Sequence, residues 1–405
     1  MNIGLWGVCT FGVVPCLCFA AGLENSDQSI VAFLEKDNYL ELSTARLHPN
    51  VSGQVANQDM LKKVGVNDFS TGQLIQDYSL FNAAIKIQYH PNWSLGLIYD
   101  QPYTAELDYQ YAPDSLLSNK TIEAAKFKVK SQNLTNLWGY QPNPNWNIYA
   151  GFSLQEFQSN LSLEGLSYSI MSGYHAKFKS NTAIGWLVGA NYQIPEYALS
   201  TSITYRSKIK HDNHVNESLA GKTIQFIPNT STNIQTPQSV NVDFKTAVSS
   251  NNLVYGSIRW VNWQNFHMQP TQFNAILDAA ILQYPELIQK FNLIEYKKDQ
   301  WASKLGLAHR INEQWIILSD VSWDSGTGNP AGTLNPSDGF YAFGLGAMYR
   351  AQPNSFIAAG LKYFQLQNAN TAQNNVFVAG NQNTNLNAVD DNHAIAYGLK
   401  IGYSF

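Results

Sequence analysis

Residues 393–405 read HAIAYGLKIGYSF, and their alternation decides the fold class. Ile395, Tyr397, Leu399, Ile401, Tyr403 and Phe405 are large and apolar, while Ala394, Ala396, Gly398, Lys400, Gly402 and Ser404 fall between them. A period of two puts the two sets on opposite faces of one strand. In a soluble sandwich the apolar face packs on a core and the other face meets water. Here the second face is Gly, Ala and Ser with a single Lys, and the segment ends on the aromatic Phe405. A large apolar face opposite a small, polar one suits a strand of a transmembrane β-barrel.

The composition agrees. Of 405 residues only 13% are charged and 13% are aromatic, with 22 Tyr and a net charge of -4. Beyond the N-terminal segment no run of eighteen apolar residues occurs, which excludes helical membrane spans. A mean hydropathy of -0.24 is compatible with a barrel whose lumen and loops are polar. Met1 to Ala20 has the apolar stretch and the small-x-small end (Cys18, Phe19, Ala20) of a secretory signal, although it lacks the usual basic start. The three cysteines, Cys9, Cys16 and Cys18, all lie within it, so the expected mature chain needs no disulfide. These features point to the bacterial outer membrane.

The rest of the chain divides into a short segment, residues 21–37, expected at the periplasmic mouth or inside the barrel, and a barrel domain, residues 38–405. Alternation predicts fourteen antiparallel strands, the first at Asn38 to His48 and the last at His393 to Phe405. Those between include Lys126 to Tyr140, Asn145 to Phe157, Thr182 to Ile194, Tyr197 to His211, Pro237 to Ser249 and Asn251 to Met268. Six connections are tight and rich in turn formers, such as HPNW at His90 to Trp93 and QPNPNW at Gln141 to Trp146, and seven are long. Strict short–long alternation with an even strand count is what an outer-membrane barrel requires. With no water in lipid to satisfy an open edge, the first and last strands must pair. Trp93, Trp146, Trp315 and Phe405, all near short turns, are expected to form a periplasmic aromatic girdle.

Once the apolar set fixes the outward face, the other parity lines the lumen. It contains Arg206, Asp243, Lys245 and Arg259 on three consecutive strands, with Lys86, Lys304, Arg310, Arg350, Lys362, Lys400 and Asp320 elsewhere. Inward placement of charge follows from the membrane alone, but the excess of bases in an acidic protein favours an anionic ligand such as a carboxylate. Arg206, Asp243, Lys245, Arg259 and Lys400 are therefore the polar candidates for ligand contact, with a structural charge network as the alternative role for Asp243. Outside the wall, Thr271 to Asn292 has apolar residues at helical spacing, Phe273 and Leu277 among them, with Pro285 expected to bend or interrupt it. That helix serves as a lid over the mouth, as a groove for an acyl chain, or as both. Pro102, near the top of the strand Asn92 to Thr104, lacks the donor a central strand needs and is a place where pairing ends or a gap opens.

The chain resembles the FadL family of outer-membrane long-chain fatty acid and hydrocarbon transporters. The resemblance is carried by SLGLIYDQPY (Ser94 to Tyr103), NYQIPEYALSTSITYRSKIKH (Asn191 to His211), TPQSVNVDF (Thr236 to Phe244), VYGSIRWVNWQNF (Val254 to Phe266) and LKIGYSF (Leu399 to Phe405). It implies a fourteen-strand barrel, a lumenal N-terminal plug, external apolar capture, passage through a wall opening at a kinked strand, which maps near Pro102, and a monomeric state. The familiar plug is longer and carries an Asn-Pro-Ala motif that Gly22 to Asp37 lacks.

Passive uptake of long-chain fatty acids or similar hydrophobic molecules is the leading reading, with ligand and outer-membrane lipid as the expected partners and no nucleic acid. A general or anion-selective porin is the alternative. An outer-membrane lipid hydrolase would need a Ser/His pair with an acidic orienter, and the histidines, such as His175, His211, His214 and His267, fall mainly in or beside loops. The sequence shows no metal-ligand spacing and no phosphate-binding glycine loop, so no cofactor and no catalysis are expected.

Overall fold

The structure is a computed structural model. It describes residues 23–405 except 56–57, 64, 113–120, 122, 166–167, 169–170, 287–289, 291, 329–330, 333–337, 370, 374–383 and 388–391. The expected signal segment lies outside the described residues.

Fourteen antiparallel strands close on themselves. They are β1 (Tyr39–Asn50), β2 (Tyr78–His90), β3 (Trp93–Asp100, resuming as Thr104–Tyr111), β4 (Glu123–Asn143), β5 (Trp146–Glu164), β6 (Tyr174–Ile194) and β7 (Leu199–Arg206, resuming as Ile209–Leu219). The second half comprises β8 (Ser231–Thr236, resuming as Ser239–Ala247), β9 (Asn252–Val261), β10 (Gln300–Arg310), β11 (Trp315–Asp324), β12 (Phe340–Gln352), β13 (Ser355–Leu366) and β14 (His393–Ser404). Closure is by β1 on β14, in register from Tyr39 with Ser404 to Asn50 with His393. The first and last strands are thereby paired, so the sheet has no free end, as the hydrocarbon phase demands.

Outward positions carry the apolar set: Leu97, Leu134, Trp138, Ile184, Ile203, Ile258 and Leu361 are all exposed on the wall. At the short-turn end Trp93 packs on Tyr140, Trp146 on Tyr192 and Trp315 on Tyr349, with ring centroids 4.7, 4.9 and 5.0 Å apart. This ring of amphipathic aromatics marks the periplasmic interface.

Several strand limits differ from the sequence expectation. β4, β5 and β6 run for 21, 19 and 21 residues, against the roughly 9–11 that cross a bilayer. Their upper halves therefore project as a wall into the exterior, and the loops above them are correspondingly shorter. Outward lysines interrupt the apolar alternation there, and the alternation was the signal. β7 breaks at Ser207–Lys208 and β8 at Pro237–Gln238, whereas β9 stops at Val261, where a 3-10 turn Trp263–Asn265 begins. Among the described residues two α-helices stand in the loops, α1 (Gln58–Lys63) and α2 (Thr271–Gln283). α2 ends before Pro285 rather than bending through it, since proline's ring and missing N–H end the ladder.

The lumen is filled. An upper cluster on the exterior side includes Phe127, Phe157, Tyr174, Trp263 and Phe273, and a lower one includes Phe33, Tyr149 and Tyr255. A polar layer containing Asp100, Asn133, Thr135, Gln155 and Arg206, all buried, separates them.

Candidate functional site at the break in the third strand

The lower part of β3 pairs with β2 as far as Ala83 with Tyr99 and with β4 as far as Asp100 with Asn133, whereas the upper part, from Thr104 onward, keeps β4 but has lost β2. Tyr78 to Asn82 of β2, though paired with β1, therefore face β3 without a ladder. The break coincides with Gln101-Pro102-Tyr103, where Pro102 removes a donor. Above it the ladder is rebuilt by the first long loop, with Gln76 N donating to Glu106 O at 3.0 Å and Asp108 N to Leu74 O at 3.2 Å. Across it Phe81 N reaches the Gln101 side-chain oxygen at 3.0 Å, and inside it Tyr103 N donates to Ser131 Oγ at 2.8 Å.

The N-terminal segment supplies the bonds that β2 does not. Asn25 N donates to Pro102 O at 2.8 Å, the Asn25 side-chain amide donates to Thr104 O, and Tyr78 O–H donates to the Asn25 side-chain oxygen. Asn25 thus bridges β2 and β3 from within. Its neighbour Ser26 donates to Asp100 Oδ2 at 3.2 Å, while Asn133 holds Asp100 Oδ1 at 2.9 Å.

The lumenal bases hold the same segment in place. Arg259 makes a buried ion pair with Glu24, its Nε lying 3.1 Å from Oε2, and also donates to the side chains of Asn241 and Gln28. Burial pushes the Glu24 carboxyl above its usual range, with the Arg259 guanidinium opposing that shift. Arg206 donates to Gln28 O at 2.8 Å, and Asn241 to Asp27 O at 2.8 Å. Lower down, Lys86 donates to Glu35 O at 2.6 Å and Lys245 lies 3.4 Å from the Glu35 carboxylate. Phe33 sits in a notch cut by Gly96 and Gly139: a Cβ on Gly139 would stand 2.8 Å from the ring, and one on Gly96 would overlap it. Tyr149 meets the other side of Phe33 edge-on at 5.9 Å.

The structure thus brings Arg206, Arg259 and Lys245 together around the N-terminal segment. Asp243 lies beside a small cavity of about 40 Å³ shared with Lys245, Lys304 and Ser202. Lys400 is on another wall, 3.1 Å from Glu41. Phe273 and Leu277 are buried at the top of the lumen, Phe273 against Tyr174 at 5.1 Å. Sequence reasoning missed Glu24, Asn25 and Asp100, whose polarity inside a membrane barrel was the available signal. It also missed Glu217, which is buried and accepts from Gln272 N and Phe273 N at 2.8 Å each and from Tyr174 O–H at 2.7 Å. Glu217 therefore caps the N-terminus of α2 with a carboxylate, where a negative charge is favoured. Between α2 and the break, Trp263 joins Tyr103, Phe266 and Tyr296 in edge-on contacts at 5.9, 5.3 and 4.8 Å.

A closed barrel with an apolar outer wall, a lumen whose polar layer lies between two apolar clusters, and a strand broken at lumen height defines an outer-membrane channel protein. Residues 29–405 match the family described as outer membrane protein transport protein (OMPP1/FadL/TodX), and the chain belongs to that family. No individually curated protein matches it by sequence. Among solved structures, a Pseudomonas aeruginosa FadL homologue superposes with a TM-score of 0.66 at 14% identity, covering 97% of this chain and 96% of its own. The Pseudomonas putida toluene transporter TodX gives 0.58 at 10%, covering 99% and 100%, and the Ralstonia pickettii toluene transporter TbuX gives 0.56 at 12%, covering 92% and 91%. At these identities the likeness shows the shared fold.

Proposed function

We propose that this protein carries long-chain fatty acids or similarly hydrophobic molecules passively across the outer face of the membrane and releases them sideways through the wall at the break in β3. One observation carries the reading: the apolar upper lumen ends where Asn25, rather than a neighbouring strand, completes the bonding of β3. Below that level the lumen is crowded by ion pairs, Lys245 with Glu35, Lys400 with Glu41 and Lys362 with Asp320, so straight descent would put apolar surface among charges. Sideways release leads to hydrocarbon instead.

Capture begins at α2, whose Phe273 and Leu277 line the top of the path, and continues over the Trp263 cluster. Each buried methylene of an acyl chain contributes about 0.8 kcal/mol, so affinity comes from apolar contact. Arg206, Asp243, Lys245 and Arg259 act through the segment they surround. When that segment shifts, the bases exposed beside the break meet a ligand carboxylate, and Lys400 serves the opposite wall. A neutral hydrocarbon, such as the toluene named for TodX and TbuX, needs only the apolar part of this path. The protein works as a monomer in outer-membrane lipid and performs no chemistry. The filled lower lumen speaks against a general or anion-selective porin. Uptake of a fluorescent fatty acid into proteoliposomes, recorded beside planar-bilayer conductance, tests the reading: uptake without large steady conductance supports it, and large conductance without uptake refutes it.

A further inference from the structure

The projecting wall made by β4 to β7 has an outer face that is not apolar. On β4 the outward residues above Leu134 are Gln132, Lys130, Lys128 and Lys126, and on β6 Lys179 and Lys177 stand above Ile184 and Thr182. On β7 Lys208 and Lys210 follow Tyr205. Lys126 and Lys128 are matched by Asp108 and Glu106 of β3. Lys130, Lys177, Lys179, Lys208 and Lys210 are exposed and form no ion pair among the described residues. The outward acids of the same region are Glu156, which accepts from Ser180 Oγ, Asp212, and Glu164, which lies 3.5 Å from His175. The five unmatched lysines outnumber them.

Height fixes what these lysines meet. A step between outward positions is roughly 6.6 Å along a strand tilted about 40°. Lys130 lies two such steps above Leu134 and Lys208 lies just above Tyr205, each the first outward charge past the apolar wall of its strand, where a headgroup layer follows hydrocarbon. The wall continues past them, so all five stand on a rigid, ladder-paired face rather than on a loop, with Lys177, level with Lys128 through Asn160, farther out than Lys130. We propose that Lys130, Lys177, Lys179, Lys208 and Lys210 form a docking surface for phosphorylated lipid headgroups of the outer leaflet. The ladders from β4 through β7 fix the spacing of the ammonium groups, and their flexible stems let each reach a phosphate oxygen. The site is separate from the ligand path, because the two sets of side chains lie on opposite faces of the wall. It depends on the protein's outer-membrane placement, not on what it transports.

The test uses full-length protein in non-ionic detergent, titrated with fluorescent diphosphoryl lipid A and with the same lipid stripped of phosphate. Saturable binding is expected, weakened tenfold or more by removing the phosphates or by 0.5 M salt, as screening of exposed charges requires. Replacing the five lysines by Gln should weaken it by a similar factor, replacing them by Arg should retain it, and Lys63→Gln with Lys222→Gln, on the loops, should leave it unchanged. Barrel assembly is read by resistance to SDS before heating. If the five-Gln variant does not assemble, the comparison of the two lipids on the native protein decides. Equal affinity for phosphorylated and stripped lipid, or equal loss in the loop variant, would overturn the proposal.

Discussion

Asn25 and Pro102 are joined by a 2.8 Å bond from the N–H of a lumenal segment to a carbonyl on β3 where that strand has no pairing with β2. A wall carbonyl in a membrane barrel must be satisfied, and here the lumenal segment, not a strand, satisfies it. Asn25→Ala keeps this bond but removes those to Thr104 and Tyr78. Loss of buried hydrogen bonds of this kind costs about 1–3 kcal/mol. Amide exchange over residues 23–30 should accelerate by roughly 5- to 160-fold, with barrel strands unaffected. Unchanged exchange would mean that Asn25 does not hold the segment.

The Glu24–Arg259 pair is buried on both sides, with side-chain exposures of 1% and 4%. Removing one partner strands a charge and is expected to cost about 3–5 kcal/mol of segment docking, whereas removing both costs much less. Arg259→Met alone should make the N-terminal segment protease-sensitive, as should Glu24→Gln alone. The double variant Glu24→Gln, Arg259→Met should recover much of the protection. Additive losses would show that the two residues act independently.

Gly139 faces Phe33, Ser94 and Asn147 at distances that leave no room for a methyl group. Gly139→Ala should expel Phe33 and destabilise segment docking by about 1–3 kcal/mol, the usual range for overpacking. Adding Phe33→Ala removes the clash with the ring and leaves only the Ser94 and Asn147 side-chain ends to give way, so the double variant should lose much less than the sum of the two single variants. Thermal release of the segment, followed by a fluorophore at its start, reads the difference.

Glu217 holds the first turn of α2 against β7. Glu217→Gln removes the charge and should loosen the helix by about 0.5–2 kcal/mol. Tyr174→Phe should have a smaller effect, since the backbone bonds remain. Under the capture reading both raise the concentration of fatty acid needed for half-maximal uptake, and Glu217→Gln does so more. Exchange rates across Thr271–Gln283 check the structural half of this expectation.

Much of this architecture was legible in the sequence, because a membrane barrel enforces its pattern at every second residue. Alternation places Arg206, Asp243 and Arg259 inward and Ile203 and Ile258 outward, and Pro102 marks the broken strand through its missing donor. What was not legible is who meets whom inside. Arg206 and Arg259 read as exposed bases awaiting an anion, but their partners in this structure lie 178 and 235 residues away, on a segment with no periodic signal. Lys400 has its partner Glu41 on the adjoining strand, diagonal in the closing ladder, so inward parity of both strands could have found that pair. The notch for Phe33 depends on two glycines that look like ordinary small lumen residues until the aromatic is in place.

Under the proposed function, ligand leaves the lumen at the break in β3. Photo-cross-linking of a diazirine fatty acid to the protein in lipid bilayers, with adducts mapped by mass spectrometry, tests it most directly. Lateral release gives adducts on the Trp263 cluster and Tyr103, and then on the lipid-facing side around Ser79, Phe81 and Gln101. Adducts on Lys304, Lys362 and the periplasmic turns, with none around Phe81 and Gln101, would contradict it.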